Sequence, residues 1–296
     1  MNPAAVQTTT PPTTSKQRSA PYDAFHAARA RTDLTARLYA AAMGEDYPSE
    51  VSASSSCDWP LLGLLTARLR MSPDQLLVDA GCGTGGIGLW LARALAVRLE
   101  GFDLSPIAIA QATTRRPHFL DRKATWARFR IAELADTGLS DGCADGIVCV
   151  DVLGRSADKV SAMCELGRVL APGGRLAMTR SLRPGTTAAW TEQAQAAGLE
   201  VEHVDERPAE PVMWERLYRL WIAHADDLIG ELGGGQAQSM LREAHRMLPL
   251  LVGRRAVLLT LRRPATGPVG SPAAARMTTL DRRVGNSPTF SGRTPQ

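Results

Sequence analysis

LLVDAGCGTGGIG, Leu76–Gly88, is the stretch that decides the fold. An apolar run ends in an acid, Asp79, and five glycines follow within eight residues, at positions 81, 83, 85, 86 and 88. A short apolar run closed by turn residues predicts a buried strand. Glycines without a Cβ let the backbone turn tightly and let a ligand approach it closely. The small and apolar residues after Gly86 predict a helix N-terminus, whose free N–H groups point back at the turn. Gly81-x-Gly83-x-x-Gly86 fits the dinucleotide-binding pattern, and Asp103 lies about 20 residues on, where a ribose-binding acid belongs. Asp79 speaks against a pyrophosphate, which its carboxylate would repel, and for a ligand carrying an ammonium group.

Outward from this turn the chain alternates. Strands are expected at Leu76–Asp79, Val97–Asp103, Thr125–Ala132, Gly146–Asp151, Arg175–Ser181, Leu199–Val204 and Arg255–Leu261. Helices are expected after the glycine turn, from Ser105–Pro106, over Ser156–Leu170 and near Thr187–Ala197. Pro172–Gly173–Gly174 is expected to break the third of these. The alternation predicts an α/β fold with a doubly wound, mostly parallel, seven-stranded sheet. Residues 21–70 are expected to form an N-terminal helical lid, 71–207 with 254–263 the sheet core, and 208–253 a helical cap. Residues 1–20 and 264–296, rich in Pro, Thr, Ser and Gly, are expected to be a disordered leader and tail.

Composition bounds the partners. Among 296 residues, 34 basic and 30 acidic side chains give a net charge of +4, with no basic stripe for nucleic acid. The five cysteines form no C-x-x-C pair, which argues against a disulfide framework or zinc site. No apolar run is long enough for a membrane span and no signal-peptide core is visible, so a cytoplasmic protein is expected.

With the downstream order in view, the chain resembles the class I S-adenosylmethionine-dependent methyltransferases, in the branch that acts on small molecules. The residues that carry the resemblance are VDAGCGTG (Val78–Gly85), GFDLSP (Gly101–Pro106), AELADTGLSDGCADGIVCVD (Ala132–Asp151) and LGRVLAPGGRL (Leu166–Leu176). It implies a Rossmann-like methyltransferase fold and S-adenosyl-L-methionine as cofactor. Gly81, Cys82, Gly83 and Gly85 would then approach its methionine part, with Asp79 by the amino end. Asp103 would accept the ribose hydroxyls and Leu104 would pack on the adenine. Glu133 and Leu134 would meet the adenine edge, and Asp151 would close the site after the fourth strand. Asp145–Gly146, with Ala144 before it, departs from the aromatic-Asp-apolar sequence common in the family.

The resemblance implies no particular acceptor. Asp151–Val152–Leu153–Gly154 lacks the Pro-Pro-aromatic or Pro-Cys signatures of nucleic-acid methylases, so a small organic acceptor is expected, in secondary metabolism. The two helical flanks would hold it. Trp214, Leu217, Trp221, His224 and Leu228 share one face if 208–250 is a continuous helix, with His224 as the candidate base. His26 and Tyr39 are further candidates, and Tyr47 and Trp59 could cover the cofactor. Leu241, Leu248, Leu250 and Leu251 supply apolar surface that would suit a homodimer. The rival readings are a nicotinamide-dependent oxidoreductase and a non-catalytic S-adenosylmethionine-binding protein.

Overall fold

The structure, a computed structural model, describes residues 15–265. The expected leader up to residue 14 and the tail from residue 266 lie outside the described residues. Helix α1 (Ser15–Arg29) begins within the stretch expected as leader. Tertiary contacts override composition there. Ser19 is buried, Arg18 pairs with Glu133, and Asp23 accepts the hydroxyl of Ser105 at 2.5 Å.

Seven strands form one sheet: β1 (Leu76–Ala80), β2 (Arg98–Asp103), β3 (Ala127–Ile131), β4 (Ala144–Cys149), β5 (Leu170–Leu182), β6 (Glu200–Glu206) and β7 (Arg255–Arg262). Their order is β3-β2-β1-β4-β5-β7-β6. Pairs from β3 through β5 are parallel, and β7 runs antiparallel between β5 and β6. This is the doubly wound, mostly parallel sheet expected. Pro172–Gly173–Gly174 does not precede the fifth strand but lies within it. It forms an irregularity across which Ala144 pairs with Leu170 but Gly146 with Arg175.

Successive strand residues face opposite sides, so each side has its own core. Leu77, Leu99, Val148 and Leu258 meet helices α3 (Trp59–Leu69), α4 (Gly86–Leu95) and α5 (Pro106–Leu120). Val78, Ile147, Leu176 and Leu259 meet α6 (Lys159–Val169) and α7 (Trp190–Ala196). Asp58 caps α3 by accepting the Leu61 N–H at 2.7 Å, and Ser105, ahead of Pro106, caps α5. At the family departure, Gly146 is needed for packing. A Cβ there would stand 2.6 Å from the sulfur of Met71. Asp145 accepts the N–H of Leu76 at 2.8 Å and ties β4 to the start of β1.

A third core joins segments far apart in sequence. Leu34, Leu38, Tyr39 and Met43 of α2 (Leu34–Met43) pack with residues of α8 (Ala209–Ala223), α9 (Ala225–Leu232) and α10 (Gly234–Met247). Leu217, Trp221, Leu228, Leu232 and Met240 lie at its centre. The two flanks are therefore one helical layer. It also absorbs most of the leucines expected to form a dimer surface. Leu251 is buried and Leu241 and Leu248 pack on the same core, while Leu250 is exposed.

Candidate functional site

The glycine turn opens at the carboxyl ends of β1 and β2, beside the switch point where the chain winds away in both directions. Gly81, Gly83 and Gly85 have φ of 72°, 52° and 77°, the left-handed region that favours glycine. Their surroundings differ. A Cβ at Gly81 would stand 2.5 Å from the Val152 side chain, and one at Gly85 2.9 Å from Ala112. At Gly83 the nearest atom is a His26 ring carbon at 3.7 Å. Gly81 and Gly85 are thus glycines for packing, whereas the space beside Gly83 is bordered by the His26 ring at ordinary contact distance.

Two carboxylates flank that space. Asp103, at the end of β2, accepts the N–H of Gly83 at 2.9 Å and that of Ser105 at 2.9 Å. Those two bonds fix the carboxylate and leave it acceptor capacity for hydroxyl groups. Leu104 follows it directly. Asp79 is buried and accepts the N–H of Gly88, in the first turn of α4, at 3.0 Å. A Cβ on Gly88 would stand 2.6 Å from the Asp79 carboxylate, so this fifth glycine exists for the acid rather than for a ligand. Burial, with Asp103 nearby, pushes the Asp79 carboxyl up to about 7. A cation in the space above would offset that desolvation. Cys82 is buried, donates its N–H to Phe102 and has its thiol beside the Gly83 carbonyl.

The remaining acids of the sequence reading already have protein partners. Glu133 accepts Arg18 of α1 at 2.5 Å, and Leu134 packs against the core beside it. Asp151, at φ 59°, accepts the Ser56 N–H at 2.6 Å, the Ser56 hydroxyl at 3.2 Å and the Thr179 hydroxyl at 2.9 Å. Its carboxylate ties the loop ahead of α3 to the sheet. Ser56 is bound in turn by Arg207, whose guanidinium donates to the Ser56 hydroxyl (3.0 Å) and carbonyl (2.6 Å), to Glu210 (2.9 Å) and to Asp58 (3.3 Å). Burial and the nearby Asp151 push Glu210 up to about 7, against the pull of Arg207.

The flank residues divide. His26 lies over Gly83, and burial lowers its pKa against the opposing field of Asp103. Tyr39 is buried and meets Trp214 edge to face at 6.3 Å, while Trp214 stacks on Tyr218 at 5.5 Å. Trp221 lies inside the helical core, edge-on to Tyr218. His224 does not join that face. The helix ends at Ala223, His224 is its C-cap, and its Nδ1 bonds Asp227 at 2.9 Å in the next helix's first turn. This surface pair leaves His224 no part as a base in the interior. Trp59 is 41% exposed and packs edge-on to Trp90. Tyr47 faces a cavity of about 450 Å³ bounded by α1, α2, α5 and Thr84 of the glycine turn. A wider concavity of about 630 Å³ at the β3 edge includes none of these candidates.

Sequence reasoning missed Arg18, Arg29, Ser56, Arg115 and Arg207. Arg115 donates to the carbonyl and hydroxyl of Thr84 and to the carbonyls of Glu50 and Val51, pinning the upstream loop to the glycine turn. A lone arginine in a polar stretch carries no signal that it is buried.

Known proteins share this fold and parts of the sequence. Residues 78–178 match the family described as "Methyltransferase domain". Methyltransferase GfsG of Streptomyces halstedii is 28% identical over 55% of this chain and 60% of its own. O-methyltransferase resE of Aspergillus sclerotiorum is 30% identical over 38% of this chain and 42% of its own. The chain thus spans about half the length of the curated relatives it matches. The crystal structure of the [4+2]-cyclase SpnF superposes with a TM-score of 0.66 at 20% identity, covering 85% of this chain and 97% of that one. In sheet order, glycine turn and sequence, residues 78–178 thus resemble the methyltransferase domain family.

Proposed function

We propose that the chain transfers a methyl group from S-adenosylmethionine to a small organic acceptor in secondary metabolism. The observation that carries this reading is the glycine turn with two carboxylates beside it: Asp103, which accepts the Gly83 N–H, and Asp79, buried with no cationic partner among the described residues. Asp103 would accept the ribose hydroxyls, and Asp79 would face the cationic amino end through the turn. Leu104 would lie against the adenine, and Glu133 would serve it once released by Arg18. Asp151 would act through Ser56 rather than by contact. Fold likeness to a cyclase carries no activity, so the reaction type rests on the methyltransferase matches.

The cofactor supplies an activated methyl on a sulfonium, and in-line transfer then needs position and a dry site more than a base. Tyr39, Trp214 and Tyr218 supply an apolar aromatic wall in the helical layer. Relatives named O-methyltransferases favour oxygen as the acceptor atom. A nicotinamide enzyme fits less well, because a pyrophosphate would face Asp79. No helix among the described residues is long and apolar enough to cross a membrane.

Calorimetry with S-adenosylhomocysteine tests the reading. The wild-type protein should bind it, NADH should give no heat, and Asp103→Ala should weaken binding at least tenfold, about 1.4 kcal/mol. Absence of binding at millimolar concentration would sink the proposal.

A further inference from the structure

The cavity bounded by α1, α2, α5 and Thr84 holds an arginine whose charge has no counterpart. Arg29 is half-buried and lines this cavity of about 450 Å³. Its contacts are neutral. One nitrogen donates to the Ser54 hydroxyl, the guanidinium lies 3.9 Å from the centre of the Phe25 ring, and Tyr39 is its hydrogen-bonding neighbour. Its Nε is buried without any partner. Among the described residues it forms no ion pair. Glu243, the nearest acid acting on it, is taken by the Tyr218 hydroxyl at 3.2 Å and by Arg155 at 3.8 Å. The cavity wall offers no better counter-ion. Asp33 is the one acid in the lining, and it pairs with Arg37 at 3.0 Å. Arg115 adds a second positive charge whose N–H groups are spent on neutral acceptors.

A charge partly withdrawn from water gains from a partner of opposite sign that restores its lost hydration. An arginine held this way beside an empty cavity is paired by what enters it. The walls specify the rest. Tyr39 and Tyr47 offer flat apolar faces, and Thr84 makes the cavity continuous with the glycine turn.

We propose that this cavity binds the acceptor, and that the acceptor is a planar molecule with a carboxylate seated on Arg29. This deepens the methyltransferase reading and rests on it, since the methyl donor would lie across the glycine turn. A carboxylate on Arg29 could also be that of the cofactor's methionine end, and the two sources separate experimentally.

The full-length protein is titrated calorimetrically with 2-naphthoate, with its neutral isostere 2-naphthamide, and with S-adenosylhomocysteine. The wild type should prefer naphthoate over naphthamide at least tenfold. Arg29→Gln should abolish that preference, Arg29→Lys should retain most of it, and S-adenosylhomocysteine affinity should stay within twofold in both. Equal affinity for the two probes in the wild type, or an unchanged preference in Arg29→Gln, overturns the proposal. A tenfold loss of S-adenosylhomocysteine affinity in Arg29→Gln also overturns it and assigns the arginine to the cofactor. Failure of the wild type to bind S-adenosylhomocysteine strikes the methyltransferase reading instead, and leaves the naphthoate comparison to decide the cavity on its own.

Discussion

Arg207 and Arg29 mark two places where the helical layer meets the loops of the sheet, and they are built on opposite principles. Arg207, ahead of α8, is 6% exposed and donates to Glu210, Asp58 and both oxygens of Ser56. Arg29, in α1, is half-buried and reaches only a hydroxyl and aromatic rings. The first region docks one part of the fold on another, and every charge is answered inside the chain. The second leaves a charge unanswered beside open space.

Substitution separates the two regions most sharply. Arg207→Met leaves Glu210 and Asp58 facing each other and Asp151 without its rigid Ser56 partner. Thermal or urea unfolding should show a loss of about 3–5 kcal/mol, the usual cost of orphaning a buried charge. Arg29→Met removes an unpaired charge and should leave stability level or slightly raised. If both variants lose stability alike, the distinction between them collapses.

A smaller effect is expected at Gly88→Ala, which drives a methyl group into the Asp79 carboxylate. Overpacking of this kind costs about 1–3 kcal/mol. Gly83→Ala meets only the His26 ring at 3.7 Å and should disturb folding less, its cost being the left-handed backbone, while weakening S-adenosylhomocysteine more. Unfolding and calorimetry on the pair would show whether the glycines divide into packing and binding positions as their surroundings indicate.

The smallest effect concerns protons. Asp79 titrates at about 7 in the folded protein and near 4 when unfolded. Between those values the folded state holds a proton that the unfolded state has lost. Its contribution to stability is therefore full below about 4 and fades as pH rises through about 7. In the cofactor-free protein the melting temperature of the wild type relative to Asp79→Asn should fall from pH 5.5 to pH 8. S-adenosylhomocysteine affinity should rise over the same range, because its cationic amino end needs the ionised acid. A flat difference would place Asp79 outside the titrating groups.

Much of the fold could be read from the chain because the signals are local. Leu76–Asp79 with its glycines, Ser105–Pro106 and the apolar run Arg255–Leu261 each specify their own backbone, and the sheet follows from their alternation. The placement of a candidate site residue was legible where it depends on position along a strand, as at Asp79 and Asp103. It was not legible where the role depends on a partner far away in sequence. Arg207 meets Ser56 across 151 positions and Arg18 meets Glu133 across 115, and nothing in either neighbourhood announces it. His224 left the expected shared face for a related reason. One break after Ala223 turned a continuous stripe into two helices and moved the histidine to the surface.

The place of β7 bears on how this domain can be exchanged between proteins. The segment that matches the methyltransferase family stops at residue 178, within β5. Along Arg175–Leu182 that strand pairs with Arg255–Arg262, which the segment does not contain. Cut out alone, residues 78–178 would present a bare strand edge to other chains. They would also lose α3, whose Leu61, Leu62 and Leu65 cover one side of the sheet. The segment that carries the ancestry is therefore not a unit that can fold. Any grafting, truncation or recombination of this fold has to move the chain from α3 through β7 as one piece.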